Sequence, residues 1–143
     1  RALRYSEDGE DQGLFVKNVE AVQGDERDLI LFSTTFGRGP NGRFRRNFGV
    51  LGQTFGQRRL NVATTRARRR IVLLTSMLTE EVSDLLNSGR APASPRDYLQ
   101  AYLHYAQLVS DGELDSAREL LLRINHRPAS AAVVRARGGS GDG

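Results

Sequence analysis

The clearest secondary-structure pattern lies in residues 57–75, which read QRRLNVATTRARRRIVLLT. In its first part, residues 57–68, the apolar residues Leu60, Ala63 and Ala67 recur at helical spacing, which predicts an amphipathic helix. The run Ile71–Thr75 that follows is almost entirely apolar, as is typical of a buried strand. A helix that leads directly into a buried strand is half of a βαβ unit.

The first strand of that unit is predicted upstream. Leu29–Ser33 is a continuous apolar run bounded by charged residues, which predicts a strand buried on both faces of a parallel sheet. Leu14–Val16 predicts a further short strand. Residues 37–57 hold six glycines and one proline, which predicts a long loop or insertion. The predicted fold class is therefore α/β with a parallel sheet.

The remainder of the chain changes character. The acidic first turn after Thr79 begins a short predicted helix that Gly89 ends. The segment 91–95 reads as a linker, with Ser94 as the N-cap and Pro95 as the first residue of an amphipathic helix.

A further helix is predicted over residues 113–124. Residues 128–143 are too small and polar to pack, so we predict a disordered tail. The predicted parts are an α/β part over residues 1–78, a helical extension over 79–127 and the tail. Position 1 is Arg rather than Met, and we expect the chain to be a piece of a longer protein.

The composition excludes several classes of site. Of 21 basic residues only Lys17 is a lysine, and it does not lie in a GxxxxGK[ST] loop, so this chain has no P-loop phosphate cradle. Cysteine is absent and there are only two histidines, so we predict no metal site. No apolar run approaches 18 residues, so we predict no membrane span.

Charge is segregated along the chain. Residues 7–28 carry eight acidic residues, whereas residues 38–70 carry ten arginines and no acidic residue. Such a block needs an anionic partner, an acidic neighbouring surface or full solvation. Nucleic acid or a nucleotide phosphate is the obvious partner because the planar guanidinium fits phosphate oxygens. The alternative is an arginine-rich face that water solvates.

Five residues are candidates for chemistry. Gly24, at a tight turn before the first predicted strand, lets backbone N–H groups approach an anion closely. Glu26 could accept a hydrogen bond from a ribose hydroxyl, and the Gln23 amide could donate or accept a hydrogen bond. Arg59 and Arg66 are seven residues apart, two turns apart on one face of a helix. The small neighbours of Arg66 would let its guanidinium lie close to the backbone.

The two segments together resemble a known pair of motifs. Residues 22–30, VQGDERDLI, are similar to motif V of superfamily 1 helicases, and residues 59–68, RLNVATTRAR, are similar to motif VI. The branch is that of the nonsense-mediated-decay and replication-linked helicases, and the resemblance covers about residues 14–76. It implies a partial RecA-like domain of the P-loop NTPase type, followed here by the small helical extension.

The resemblance also implies roles. Such enzymes bind ATP between two RecA-like domains, and the first, N-terminal domain holds the P-loop and the Mg²⁺-binding acids. Carried over to this chain, Arg66 is the catalytic arginine finger, the Gly24 amide lies near the phosphates and Glu26 contacts the ribose. Arg59 is a second cation in the nucleotide site, and Gln23 couples the nucleotide to DNA or RNA.

The chain also departs from the family pattern. Motif IV is not recognisable before residue 14, and the loop 37–56 is longer than the compact version. The arginines of this loop could touch a nucleic-acid backbone, although disorder is an equal alternative; they are Arg38, Arg43, Arg45 and Arg46.

Three interpretations follow. The first is the C-terminal half-motor of an ATP-dependent helicase in a bacterial cytoplasm, inactive alone because it has no Walker A or B motif. The second is a stand-alone arginine-rich nucleic-acid-binding module without ATPase activity. The third is a degenerate interaction domain whose helices over residues 95–124 bind a partner.

Overall fold

A computed structural model describes residues 6–7, 10–11, 13–44 and 47–125. The predicted disordered tail over residues 128–143 lies outside these ranges. The regular elements, in chain order, are β1 (Ser6–Glu7), β2 (Glu10–Asp11), a 3₁₀ turn (Val19–Ala21), β3 (Arg27–Ser33), α1 (Gly49–Gly52), α2 (Gly56–Thr64), β4 (Ala67–Leu74), α3 (Thr79–Val82), α4 (Leu85–Ser88), α5 (Pro95–Ser110) and α6 (Leu114–Asn125).

The strands β3 and β4 form a parallel pair with α2 in the connection between them. Their register places Ile30 opposite Ile71 and Ser33 opposite Leu74. β1 and β2 form a separate antiparallel pair. A strand, a helical connection and a parallel strand make the predicted βαβ unit, so the α/β fold class is confirmed, and the arrangement is consistent with part of a RecA-like domain.

Two predictions about the strands are wrong. Leu14–Val16 lies in irregular backbone rather than in a strand, because it joins no ladder with another described segment. β3 is not buried on both faces, since Leu29 is 53% and Leu31 62% exposed. The apolar run correctly predicted a strand, but the described residues leave that face of the two-stranded sheet uncovered. Only the opposite face, through Phe32 and Leu73, packs against the core.

The core lies between the βαβ unit and α5. Its buried apolar side chains come from both parts of the chain and are Phe48, Leu51, Leu60, Met77, Val82, Leu99 and Leu103. The Phe48 ring meets the rings of Phe36 and Phe44, each at a centroid distance of 5.9 Å. The helical extension therefore shares its core with the α/β part. None of the helices in the ranges described is long and apolar enough to cross a membrane.

The start of α5 is a buried polar cluster. As predicted, Ser94 caps the helix, accepting from the Asp97 backbone N–H at 3.3 Å, while the Asp97 carboxylate accepts from the N–H groups of Ser94 and Ala93 at 3.0 and 2.8 Å. Arg90 donates to the same carboxylate at 2.7 and 2.9 Å, and the Ser83 hydroxyl also bonds to it. Asp97 is only 1% exposed.

Hydrogen bonds stabilise the ionised form of Asp97. The hydrogen bonds from the Arg90 guanidinium hold the pKa of the Asp97 carboxyl well below its usual range, and the Ser83 and backbone donors act in the same direction. Gln100, also fully buried, donates to the backbone oxygens of Thr79 and Ser83 and accepts from the Leu86 N–H. The predicted linker before α5 is therefore held by hydrogen bonds from its backbone to the Asp97 carboxylate.

Candidate functional site

The turn before β3 depends on Gly24. The Asp25 N–H donates to the Val22 carbonyl at 3.1 Å, which closes a four-residue turn, and Gly24 occupies its third position with φ of +86°. A positive φ at that position is the mark of a type II turn and favours glycine. The Gly24 N–H donates to no atom of the described residues, and Gln23 is exposed beside it.

The fold brings this turn next to Arg66. The Arg27 N–H donates to the Arg66 carbonyl at 3.2 Å, joining the start of β3 to the start of β4. The carboxylate of Glu26, the residue before Arg27, pairs at 3.2 Å with Arg68, which lies two residues after Arg66. The two segments that sequence analysis selected therefore meet at the amino ends of the two parallel strands.

Arg66 lies just past α2, in the turn that leads into β4. Its Nε donates to the Val62 carbonyl at 3.2 Å and its Nη2 to the Thr65 hydroxyl at 3.3 Å, so the guanidinium lies close to the backbone, as predicted. No carboxylate in the described ranges pairs with it, and it borders an open cavity of about 950 Å³ alongside β3. Of the five N–H donors of a guanidinium, these two bonds use two, so three remain for a ligand.

Arg59 has a different environment. Its Nη1 donates to the carbonyls of Thr54 at 3.1 Å and Val50 at 3.4 Å, and its Nε lies 3.5 Å from the Glu20 carboxylate. It therefore fastens the loop before α2 to the segment before β3. The predicted common helix face of Arg59 and Arg66 is wrong, because the helix ends at Thr64 and Arg66 lies beyond it.

The arginine block meets an acidic neighbouring surface over only part of its length. The carboxylate-paired members are Arg38 with Glu81, Arg59 with Glu20, Arg68 with Glu26 and Arg69 with Asp28. Within the ranges described, the members without a carboxylate partner are Arg43, Arg58, Arg66 and Arg70. Four positive charges are thus left for another anion.

None of the five candidate residues singled out in the sequence lies at the opposite, carboxyl end of the strand pair. There the hydroxyls of Thr34 and Thr75 bond at 3.1 Å, and the next residue, Thr35, has φ of +54°. These residues line a cavity of about 860 Å³. The available signal was the run of hydroxyl residues directly after each apolar strand. Ligands of open α/β sheets commonly bind at this end of the strands.

Comparison with known proteins places the chain in a family. The sequence profile of the family described as "AAA domain" matches residues 1–78, more than half of the chain. The chain is 42% identical over 96 residues, 67% of its length, to an "Uncharacterized ATP-dependent helicase MG140" of Mycoplasma genitalium. It is 36% identical over 113 residues, 79% of its length, to the homolog of that protein in Mycoplasma pneumoniae.

The alignments cover 8% and 9% of the lengths of these two relatives. No significant match was found among solved structures. The resemblance to helicases that the sequence predicted is confirmed by both relatives, which carry that name. With the family profile matching over the whole βαβ unit, the chain belongs to the AAA domain family.

Proposed function

We propose that this chain is the C-terminal half-motor of an ATP-dependent superfamily 1 DNA or RNA helicase. It supplies the arginine finger, Arg66, and part of the nucleic-acid track. The N-terminal RecA-like domain of the parent protein supplies the P-loop and most contacts to ATP and Mg²⁺. The proposal includes a location in the bacterial cytoplasm.

The observation that carries the proposal is the state of Arg66. Its charge has no carboxylate partner among the described residues, two neutral acceptors hold its guanidinium, and its backbone is fastened to the turn region of Gly24 and Glu26. Negative charge on a transferring phosphoryl group needs a cation that is already in position. A guanidinium neutralised by a carboxylate would have to break that pair first.

The other four site residues differ in which existing contacts each must release before it contacts a ligand. The Gly24 N–H is unbonded within the described chain and available to a phosphate oxygen. Glu26 must exchange its exposed pair with Arg68 for a ribose hydroxyl, which costs little because exposed ion pairs are weak. Gln23 is exposed and available for coupling to the nucleic acid. Arg59, held by two carbonyls and Glu20, acts on nucleotide only after releasing part of that network.

A second candidate is an arginine-rich nucleic-acid-binding module without ATPase activity. The observation that favours it is that Arg43, Arg58 and Arg70, which are not part of the Arg66 turn, also lack a carboxylate partner within the described ranges. Such arginines suit phosphate contacts along a strand.

Replacing Arg66 in the parent protein separates the two candidates. Arg66→Ala should lower the ATPase kcat by on the order of 10²-fold or more, because stabilisation present mainly in the transition state is lost. Nucleotide affinity should fall less than kcat. Arg66→Lys should not restore activity, since an ammonium group lacks the forked geometry. Steady-state ATPase assays with nucleotide-binding titrations measure both quantities.

Arg69→Ala is the matched control. Arg69 belongs to the same basic block, but its side chain is 81% exposed and lies 3.4 Å from Asp28. Its replacement should leave kcat near the wild-type value. Equal losses of kcat in Arg66→Ala and Arg69→Ala would show a generic basic surface, and the binding module would then be the better proposal.

A further inference from the structure

Two residues in the connection between β3 and α2 have strained backbones. Thr35 and Phe55 are the non-glycine residues with positive φ in the part of the chain that the structure describes. Phe55 has φ of +66° and ψ of +14°, in the left-handed region. A bulky side chain in that region costs free energy, and such outliers cluster at functional positions.

The backbone at Phe55 is fixed by its neighbours. A Cβ added to Gly56 would lie 2.1 Å from the Leu51 carbonyl oxygen, so the loop passes too close for any other residue there. The Phe55 carbonyl accepts from the N–H groups of Arg58 and Arg59 at 3.0 and 3.3 Å, which makes Phe55 the N-cap of α2. Small polar residues and glycine are preferred at N-caps, so local structure disfavours an aromatic residue here.

Packing does not account for the aromatic ring either. Phe55 is 53% exposed and is not part of the core cluster. The Arg58 guanidinium carbon lies 4.7 Å from the ring centroid. Arg58 is itself exposed and has no carboxylate partner in the described ranges. An exposed ring with an unpaired guanidinium over one face combines its other face, for base stacking, with a cation for the adjoining phosphate.

The position favours a nucleic-acid strand over the base of ATP. Phe55 precedes α2 and Arg66 follows it, and this helix has nine residues, so it separates them by about 13 Å. Phe55 therefore lies at the opposite end of the helix from the proposed phosphate contact. It also lies within the stretch of ten arginines that contains no acidic residue, which complements a polyanion.

We propose that Phe55 and Arg58 form a stacking platform for one base of single-stranded DNA or RNA. The platform is a contact separate from the nucleotide site. It rests on the nucleic-acid-binding part of the proposed function and is independent of the arginine-finger assignment. Stacking on an aromatic ring tolerates any base, so the contact is not specific for sequence.

The test compares two fluorescently labelled 12-nucleotide single strands, one of thymidines and one with abasic sites throughout, by anisotropy at low salt. Phe55→Gly should weaken binding of the thymidine strand by roughly tenfold and leave the abasic strand unchanged. Phe55→Tyr should bind both strands like the wild type. Glycine adopts the left-handed region freely, so Phe55→Gly should not lower the melting temperature, which circular dichroism checks.

Three outcomes would overturn the platform. They are no binding of either strand by the wild-type chain, no effect of Phe55→Gly on the thymidine strand, and equal losses on both strands. In a fourth arm, a fluorescent ATP analogue is titrated into the parent protein. If Phe55→Gly lowers the affinity for the ATP analogue as much as it lowers the affinity for the thymidine strand, the ring contacts adenine, and the proposal is also overturned. The Arg66→Ala ATPase assay is unaffected by any of these results, so the two proposals fail separately.

Discussion

The helices after residue 79 and the β3–β4 pair differ in whether their charged side chains are buried or exposed. At the start of α5, Asp97 is 1% exposed, and its carboxylate accepts hydrogen bonds from the side chains of Arg90 and Ser83 and from two backbone N–H groups. On the strand pair, Arg69 and Asp28 face each other with side chains 81% and 58% exposed. Burial makes the first set of polar groups decisive for stability, whereas exposure leaves the second set free to exchange partners.

Stability and the proposed ligand contacts lie in different parts of this chain. The helical half buries Leu85, Leu99 and Gln100 completely, while the strand pair exposes Leu29 and Leu31 on one face. The positions proposed to contact ligands, at the turn before β3 and on either side of α2, all lie on the strand-pair side. The proposed ligand contacts thus lie on the part with spare hydrogen-bonding capacity, and the buried side chains of the helices support it.

The largest effect on stability is expected at Asp97. Asp97→Ala removes a buried carboxylate that bonds Arg90, Ser83 and two backbone N–H groups, and should lower the free energy of unfolding by about 3 kcal/mol. Urea unfolding followed by circular dichroism measures the change. Asp84→Ala is the control, because Asp84 bonds the same Arg90 but has a side chain 77% exposed. A comparable loss in both variants would contradict the contrast between buried and exposed charged groups.

A smaller effect is expected from acid. The Arg90 hydrogen bonds lower the pKa of Asp97 in the folded chain, so the unfolded chain takes up this proton at a higher pH. The stabilisation from Asp97 is therefore complete above the unfolded pKa of about 4 and is lost as pH falls below it. Melting temperatures from pH 7 to pH 3 should be flat at first and then fall.

The control for this pH profile is Asp97→Asn. It removes the titrating group while keeping the side-chain size, so its melting temperature should fall less steeply below pH 4 than that of the wild type. Identical acid slopes would mean that other carboxylates dominate the acid response. The contribution of Asp97 would then be packing rather than charge.

The smallest effect is expected on the strand pair. Asp28→Ala removes an exposed ion pair with Arg69 and should change the free energy of unfolding by only about 0–0.5 kcal/mol. The same urea experiment measures it. A loss above that of Asp97→Ala would reverse the ranking of the two regions.

Local chemistry explains what the sequence could predict. Ser94, Pro95 and Asp97 lie within four positions of one another, so the cap of α5 was readable directly. β3 and β4 were predicted because each is an apolar run with charged residues beside it. In both cases the deciding pattern lies within a single short run of residues.

Contacts between distant segments explain what it could not predict. Arg68 and Glu26 are 42 residues apart, so their pairing depends on the strand register. The left-handed backbone of Phe55 is a local case, in which an aromatic residue occupies a position that favours glycine, next to the close approach of Gly56 to Leu51. The roles of Arg66, Arg59, Gly24, Glu26 and Gln23 stay predictions, although the fold does bring the turn and Arg66 together.

The cap of α5 has a consequence for the segment before it. Residues 91–95, composed of Ala, Pro and Ser, look like a protease-sensitive hinge, yet the Asp97 carboxylate binds the N–H groups of Ala93 and Ser94. Exchange of those two amide protons with solvent requires that their hydrogen bonds to the carboxylate break, although both residues precede the first residue of the helix. We therefore expect slow hydrogen exchange in a stretch whose composition suggests a flexible linker, and cooperative unfolding of the α/β part with α5, which share one core.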